Sequence, residues 1–286
     1  MSYEDPSLLS TLPPPRLPRH RTIAFTSGKG GVGKSNLILN TGLVLARRGK
    51  RVTILDGDLG LASLNVLLGL SPRFDLRHVI AGEKRLDQIL LSGPHGIKII
   101  PAGSGVAELA NLTEDERETF LGQLQELAPT VDFLLIDTGA GLSDTVLNLV
   151  VASDEAVVVT RPEPTALADA YALMKVVIQH QAAYPFHLLI NMVRDGDQAK
   201  QVFDSLAQIL LKFLGYQPGY AGYVVMDPSV PRGVVRQVPF TVLAPGCEAA
   251  RGLEALADRL LGSPVQTSRE ATPFWKRLAR WSWKQT

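Results

Sequence analysis

Cysteine and long apolar runs are scarce in this 286-residue chain. The single cysteine, Cys247, excludes an internal disulfide framework and leaves no set of thiolates to hold a metal or iron–sulfur cluster within one chain. No apolar run approaches the roughly 20 residues needed to cross a bilayer, and the start of the chain lacks the apolar segment of a secretory signal. These absences predict a soluble protein in a reduced, cytoplasmic setting.

The formal net charge is also small, at +1, but the charged side chains are unevenly distributed along the chain. Residues 263–286 hold five basic side chains and one acid, Glu270, which leaves the rest of the chain slightly acidic. A broad DNA-binding surface needs many Lys and Arg side chains on one face. Nucleic acid is therefore not an expected partner.

Proline is concentrated at the start of the chain, with five in the first twenty residues. Residues 1–21 are therefore predicted to be an extended or disordered lead. After this lead, short β-branched runs alternate with longer helical patterns. Strands are predicted at 22–26, 51–55, 97–100, 133–136, 156–160, 187–190 and 223–225. Helices are predicted at 35–48, 114–127, 143–151, 165–183, 198–214 and 247–261.

The predicted strands are apolar throughout instead of at every second residue. Such strands are typical of a sheet that is covered on both faces. The sequence therefore predicts an α/β fold in which a single doubly wound, mostly parallel sheet is flanked by helices, over residues 22–262. A polar linker at 263–272 and a separate segment at 273–286 follow.

A glycine-rich loop lies between the first predicted strand and the first predicted helix. Its sequence is Gly28-Lys29-Gly30-Gly31-Val32-Gly33-Lys34-Ser35. The glycines allow successive N–H groups to point at an anion, and the following helix adds its positive end. In such a loop Lys34 neutralises the β- and γ-phosphates, and the hydroxyl of Ser35 ligates Mg²⁺. The loop predicts a protein that binds and hydrolyses ATP with Mg²⁺.

Aspartates follow two of the predicted strands, where they can reach a ligand at the carboxyl edge of a parallel sheet. Asp137 is the candidate that supports Mg²⁺ through coordinated water, because it directly follows an apolar strand. Asp58 is the candidate that orients the attacking water. Asp56 is either a further member of this group or an ordinary turn aspartate.

The lysine at the second loop position, Lys29, is not required by the general phosphate-loop pattern. With it, the loop resembles the deviant Walker A loop of the MinD/ParA-type ATPases. That resemblance implies an ATP-bound homodimer in which Lys29 reaches the phosphates held by the partner chain, with Asp58 in switch I and Asp137 at the start of switch II. It also implies that Asn191 contacts the adenine, and that Asp227 and Pro228 complete the base pocket.

Within that superfamily, the chain is most similar to the FlhG group, also called FleN or YlxH, which regulates flagellar number and placement. The segments that carry the similarity are residues 56–62, 66–70, 101–106, 137–144 and 162–171. The resemblance implies an FlhF-type GTPase and flagellar switch (C-ring) proteins as partners. The chain departs from the group where many members carry an N-terminal Asp-Gln-Ala helix, since Asp5-Pro6-Ser7 leads into prolines here. It also has Ser63 and Asn65 where the group often has Asn and Asp.

The final segment has the composition of an amphipathic helix. Its candidate membrane-binding residues are Phe274, Trp275, Lys276, Arg277, Leu278, Arg280 and Trp281. On a helix the large apolar side chains share one broad face and the basic ones cluster on the other, which is typical of a helix lying in an anionic membrane interface. The resemblance supports this role and implies reversible attachment at the inner face of the plasma membrane. The alternative is an ordinary helix that packs back on the body.

Four other members of the superfamily remain to be weighed. A MinD-type division-site regulator and a ParA-type DNA-partitioning ATPase share the same loop, and the acidic body with a Trp-rich basic tail favours lipid over DNA. Related iron proteins need cysteines at the dimer seam, which Cys247 alone does not supply. Capsule-type tyrosine kinases end in a tyrosine cluster, whereas the last tyrosine here is Tyr223.

Overall fold

The computed structural model describes residues 20–58, 63–101, 105, 113–262 and 274–280. The rest of the predicted lead, the linker at 263–272 and the predicted membrane-binding residue Trp281 lie outside the described residues. For Ser63, Trp275 and Arg280 only the backbone is described.

The described residues contain one sheet of eight strands, in the order β3-β4-β2-β5-β1-β6-β7-β8. The strands are β1 (Arg21–Ser27), β2 (Val52–Gly57), β3 (Leu91–Ser92), β4 (Lys98–Pro101), β5 (Phe133–Ala140), β6 (Glu155–Thr160), β7 (Phe186–Val193) and β8 (Gly219–Val225). All pairings are parallel except that of β3 with β4, which is antiparallel and lies at one edge. The predicted fold class is confirmed.

The helices connect successive strands and cover both faces of the sheet. They are α1 (Lys34–Arg47), α2 (Ser63–Leu68), α3 (Leu76–Ile80), α4 (Leu86–Ile89), α5 (Glu114–Leu127), α6 (Asp144–Ala152), α7 (Pro164–His180), α8 (Gly196–Leu214), α9 (Ser229–Arg236), α10 (Phe240–Leu243), α11 (Glu248–Gly262) and α12 (Phe274–Arg280). None of these helices is both long and apolar enough to cross a bilayer.

Two apolar layers sandwich the sheet, and β5 shows why its strands lack polar alternation. Leu134 and Ile136 belong to one buried cluster, whereas Phe133 and Leu135 belong to the cluster on the opposite face. Because successive side chains of a strand point to opposite faces, a strand with helices on both sides needs apolar residues at every position.

The first strand begins at Arg21, one residue earlier than predicted, where the N–H of Arg21 donates to the carbonyl of Asp132 at 3.0 Å. The Arg21 side chain is part of a buried ion pair. Its guanidinium donates to both carboxylate oxygens of Glu155, with Nη2 2.9 Å from Oε2, and to the carbonyl of Leu260 at the end of α11. His187 Nε2 lies 3.2 Å from the same carboxylate. These contacts join β1, β6, β7 and α11, and sequence spacing gives no sign of them.

The elements missed by the sequence analysis are short. They are the edge strand β3 and the helices α2, α3, α4, α9 and α10, each of eight residues or fewer. Runs of this length contain at most about two helical turns, so apolar periodicity does not identify them.

Candidate nucleotide-binding site

The phosphate loop joins β1 to α1 and leaves the start of α1 open. Gly31 and Gly33 have φ values of 73° and 90°, a left-handed region that favours glycine. Gly33 is the N-cap of α1, no side chain caps the helix, and its first turn contains no acidic residue. The N–H groups at this helix end are thus available to an anion, as predicted for a phosphate cradle.

Close contacts with neighbouring elements leave no room for a side chain at two of the loop glycines. A Cβ atom on Gly28 would lie 2.1 Å from the carbonyl oxygen of Asp169 in α7, and one on Gly33 would lie 2.5 Å from Nδ2 of Asn191. A Cβ on Gly30 would meet no atom within 4 Å. The loop is therefore held against α7 and β7, while the space beside Gly30 stays open.

Lys34 is paired with Asp137 in a buried contact. Its ammonium lies 2.5 Å from Oδ1 of Asp137, and the two side chains are 6% and 0% exposed. Burial raises the pKa of Asp137, and the charge and hydrogen bond of Lys34 only partly offset that rise. The two residues predicted to serve the phosphates and Mg²⁺ thus lie together, one at the start of α1 and the other near the end of β5.

Three carboxylates converge at the carboxyl ends of β2 and β5. Asp56 lies opposite Asp137 in the strand register, and a Cβ on Gly139 would lie 3.8 Å from Oδ1 of Asp58. Burial raises the pKa of Asp56 to about 7, and the negative charge of Asp137 adds to the rise. The sequence left the role of Asp56 open, and its burial beside Asp137 makes it a member of the site. The Asp-Gly-Asp spacing was the signal that could have identified it.

The acidic cluster has the oxygen ligands that Mg²⁺ requires. By distance and angle, Oδ2 of Asp137 and both carboxylate oxygens of Asp56 are buried without a hydrogen-bond partner among the described residues. The backbone of Asp58 and the side chain of Ser35 nevertheless act to lower the pKa of Asp56 and of Asp137, respectively. Buried carboxylate oxygens are normally satisfied by a donor or a cation, and Mg²⁺ with its bound waters supplies both. Ser35, the predicted hydroxyl ligand, is the second residue of α1, next to Lys34.

Lys29 lies against its own chain. Its ammonium is 2.9 Å from Oγ1 of Thr165 and 3.4 Å from Oε2 of Glu163, and its side chain is 35% exposed. Arg161 holds the same carboxylate at 2.7 Å. The pKa of Glu163 is lowered, first by the hydrogen bond from Arg161 and then, against slight desolvation, by Lys29. In the single chain, the Lys29 ammonium thus contacts the start of α7.

The predicted base-pocket residues lie near the end of β7 and after β8, and they are already engaged. The amide Nδ2 of Asn191 donates to the carbonyl of Val32 in the phosphate loop at 2.8 Å. The Asp227 carboxylate accepts the backbone N–H groups of Ser229 at 2.7 Å and Ala249 at 3.3 Å, so it connects the starts of α9 and α11. The side chain of Asp227 therefore has a structural role. The backbone carbonyls of the two residues are also engaged, that of Asp227 by the N–H of Val230 at 3.1 Å and that of Pro228 by the N–H of Arg232 at 3.3 Å.

Two apolar side chains of the C-terminal helix α12, those of Phe274 and Leu278, are buried against the body. Phe274 and Leu278 are 1% and 8% exposed within the core cluster that includes α6 residues. Arg277 donates from Nε to the carbonyl of Ala152 at 2.6 Å and from Nη2 to Asp154 at 2.8 Å. In this conformation α12 is therefore a helix packed on the body, which was the alternative to a membrane-binding helix. Phe274, Arg277 and Leu278 are unavailable to a membrane while α12 is docked.

Comparison with known proteins identifies the class that the fold and the loop define. The family model described as ParA, NUBPL iron-transfer P-loop NTPase, matches residues 19–260. The chain belongs to the ParA/MinD family of P-loop ATPases, and it is an ATPase.

Its similar relatives include two flagellar proteins. It is 36% identical to the antiactivator FleN of Pseudomonas aeruginosa over 245 residues, covering 86% of this chain and 88% of that protein. It is 30% identical to the flagellum site-determining protein YlxH of Helicobacter pylori, covering 91% and 90%. The predicted resemblance to the FlhG (FleN/YlxH) group is confirmed.

Solved structures share the fold. The septum site-determining protein MinD of Pyrococcus horikoshii, in complex with Mg-ADP, superposes with a TM-score of 0.66 at 24% identity. The superposition covers 85% of this chain and 98% of that one.

Proposed function

We propose that this protein is an ATP-dependent dimerising ATPase switch that associates with membranes and regulates flagellar number and placement. Its similarity to FleN and YlxH over most of both chains supports the flagellar role. The observation that carries the switch is the state of the two loop lysines. Lys34 is paired with Asp137, and Lys29 with the start of α7. A bound triphosphate would have to draw Lys34 of its own chain, and Lys29 of the partner chain, away from these carboxylates.

Nucleotide binding rearranges the phosphate site. The open N–H groups at the start of α1 receive the phosphates, and Lys34 exchanges Asp137 for the β- and γ-phosphate oxygens. Ser35, through its hydroxyl, and Asp137, through coordinated water, are the residues that would hold Mg²⁺. Bound there, Mg²⁺ would neutralise charge that develops on the phosphates. Asp58 orients the water that attacks the γ-phosphate in line.

Dimerisation completes the site with Lys29 of the partner chain. To reach across, Lys29 leaves Thr165 and Glu163, a half-exposed contact of the kind that contributes only about 0–1 kcal/mol. A weak contact of this size can hold the lysine in the single chain without opposing the dimer.

Membrane attachment requires α12 to leave α6. Once released, its basic residues and apolar face would meet an anionic lipid surface, where each basic side chain contributes roughly 1 kcal/mol. Two copies in an ATP-bound dimer would bind far more tightly than one through avidity. Deleting residues 273–286 should abolish ATP-dependent co-sedimentation with anionic vesicles, and unchanged co-sedimentation would refute this part of the proposal.

The dimer is tested by light scattering after size exclusion with ADP and with ATP. Wild type should be monomeric with ADP and dimeric with ATP, Asp58→Ala should remain dimeric because water is not oriented, and Lys29→Ala should bind ATP but stay monomeric. Lys175→Ala removes the same charge from an exposed position further along α7 and should behave as wild type. A monomeric Asp58→Ala protein under saturating ATP would contradict the assignment.

Regulation of the division site is the second candidate function, because the fold is similar to that of MinD. Deleting the gene in its source organism separates the two, because loss of a flagellar regulator changes the number or position of flagella, whereas loss of a division-site regulator misplaces septa. A gel shift with non-specific DNA and ATP tests the DNA-partitioning alternative.

A further inference from the structure

Asn191 contacts the phosphate loop directly, although the resemblance assigns it to the base. Its side chain lies at the end of β7 and is 6% exposed as a residue. The amide nitrogen donates to the carbonyl oxygen of Val32 at 2.8 Å, across 159 residues of chain. The Val32 side chain is itself buried, with 2% exposure. The middle of the loop is therefore anchored at both its side chain and its carbonyl.

The backbone of β7 is distorted where it presents this amide. The pairing of β7 with β8 shifts register between Asn191 and Val193, and Met192 between them has a φ of 57°. A methionine rarely adopts the left-handed region, and such conformations persist when the surrounding structure requires them. The bulge interrupts the regular pairing beside Asn191, and the pairing resumes at Val193.

The hydrogen bond determines the direction of the next N–H group. In a planar trans peptide the C=O and N–H point in opposite directions, so a Val32 carbonyl held by Asn191 directs the Gly33 N–H away from Asn191. That N–H belongs to the row that cradles phosphate at the start of α1. Gly33 is also the loop residue whose Cβ would clash with Asn191 Nδ2, at 2.5 Å.

We propose that Asn191 is a positioning residue for the phosphate loop, which sets the orientation of the Val32–Gly33 peptide before any base is bound. A carboxamide has two N–H donors and one carbonyl acceptor, so one N–H and Oδ1 are left for a purine edge. The same side chain then connects base recognition to phosphate binding. This inference rests on the proposed nucleotide site and concerns what Asn191 does within it.

A ligand without a base separates the two roles. Calorimetry would measure the binding of Mg²⁺-tripolyphosphate and of Mg²⁺-ATP to wild type, Asn191→Ala and Asn191→Asp, using the full-length protein. A neutral hydrogen bond of ordinary strength corresponds to about a fivefold change in affinity, so Asn191→Ala should bind tripolyphosphate at least about fivefold more weakly. Aspartate has the same size as asparagine, but it places an acceptor oxygen against the carbonyl of Val32. Asn191→Asp should therefore bind tripolyphosphate more weakly still. Gln201→Ala, which removes an amide from an exposed position of α8, should bind tripolyphosphate as wild type does.

Hydrogen exchange supplies a readout that needs no ligand. Amides of residues 31–35 should exchange faster in nucleotide-free Asn191→Ala than in wild type, while those of β5 stay unchanged. Should Asn191→Ala fail to fold, the isosteric Asn191→Asp carries both measurements. Wild-type tripolyphosphate affinity and loop exchange in the variants, with only ATP binding reduced, would overturn the inference and leave Asn191 as a base contact alone. If wild type itself bound neither ligand, the nucleotide site would fail, and the exchange data would still decide whether Asn191 positions the loop.

Discussion

The docked state of α12 predicts the effect of a single substitution outside the helix, Asp154→Asn. Oδ1 of Asp154 accepts from Arg277 at 2.8 Å, and Oδ2 accepts the backbone N–H of Thr22 at 2.9 Å. Asparagine keeps the size and one oxygen but removes the charge that holds Arg277. The helix retains all of its own basic residues, so its attraction to lipid is unchanged.

The magnitude follows from the contacts. Full burial of Phe274 and Leu278 contributes about 1.5–3 kcal/mol for each side chain. The Arg277–Asp154 pair is 17% and 13% exposed, and a charge-assisted hydrogen bond of this kind contributes about 1.5–3 kcal/mol. Because asparagine can keep a neutral contact, we expect a loss of about 1–2 kcal/mol, which corresponds to a released fraction about 5–30 times larger.

The assay is co-sedimentation of nucleotide-free protein with anionic vesicles, at a lipid concentration where wild type is barely bound. Asp154→Asn should bind about 5–30 times more, and amides of residues 274–280 should exchange faster without lipid. Lys276→Ala, on the same helix, should reduce lipid binding because it removes a charge and leaves the Asp154 contact intact.

Two results would refute the reasoning. Unchanged exchange in α12 of Asp154→Asn would mean that the ion pair does not hold the helix. Faster exchange with wild-type lipid binding would mean that the released helix has no affinity for the membrane, which removes the membrane-association part of the proposed function.

Three further predictions address the loop, the core and catalysis. Gly28→Ala should abolish ATP binding or unfold the loop region, because a Cβ there would lie 2.1 Å from the Asp169 carbonyl; wild-type affinity by calorimetry would contradict this packing. Glu155→Gln should lower the free energy of unfolding by about 3 kcal/mol at pH 7, since it leaves a buried Arg21 without its counter-charge. Burial alone would raise the pKa of Glu155, but its hydrogen bonds from His187 and Arg21 lower it below 4.5. The stabilisation is therefore complete above pH 4.5 and lost as the pH falls through the folded pKa, so urea titrations of the two proteins should converge in acid. Asp58→Ala should reduce phosphate release at saturating ATP by at least about tenfold without weakening ATP binding, and equal turnover would exclude its role in orienting water.

The fold and the phosphate site could be predicted from the sequence because their signals are local. The strand that precedes Gly28 is apolar at successive positions, and the glycines that follow have the spacing that a phosphate cradle needs. The wholly apolar strands have a direct cause in the two core clusters, which require apolar side chains on both faces of β5. The family resemblance rested on Lys29 in the loop and on short segments between residues 56 and 171, and it was confirmed by the match to FleN.

Contacts between distant residues could not be predicted. Spacing gives no sign that Arg21 meets Glu155, that Asn191 holds the carbonyl of Val32, or that Asp227 connects two helix starts. Residues 274–280 form a helix with Phe274 and Leu278 buried, but an amphipathic pattern is the same whether the apolar face meets lipid or protein.

The sequence by itself determined the sheet, the phosphate loop and the candidate groups for catalysis, since periodicity and glycine spacing act over a few residues. Only the tertiary structure decided which partner each of those groups has in the single chain. Lys34 contacts Asp137, Lys29 contacts Thr165, and α12 is docked against α6, because side chains more than a hundred residues apart meet only when the sheet order brings their strands and helices together.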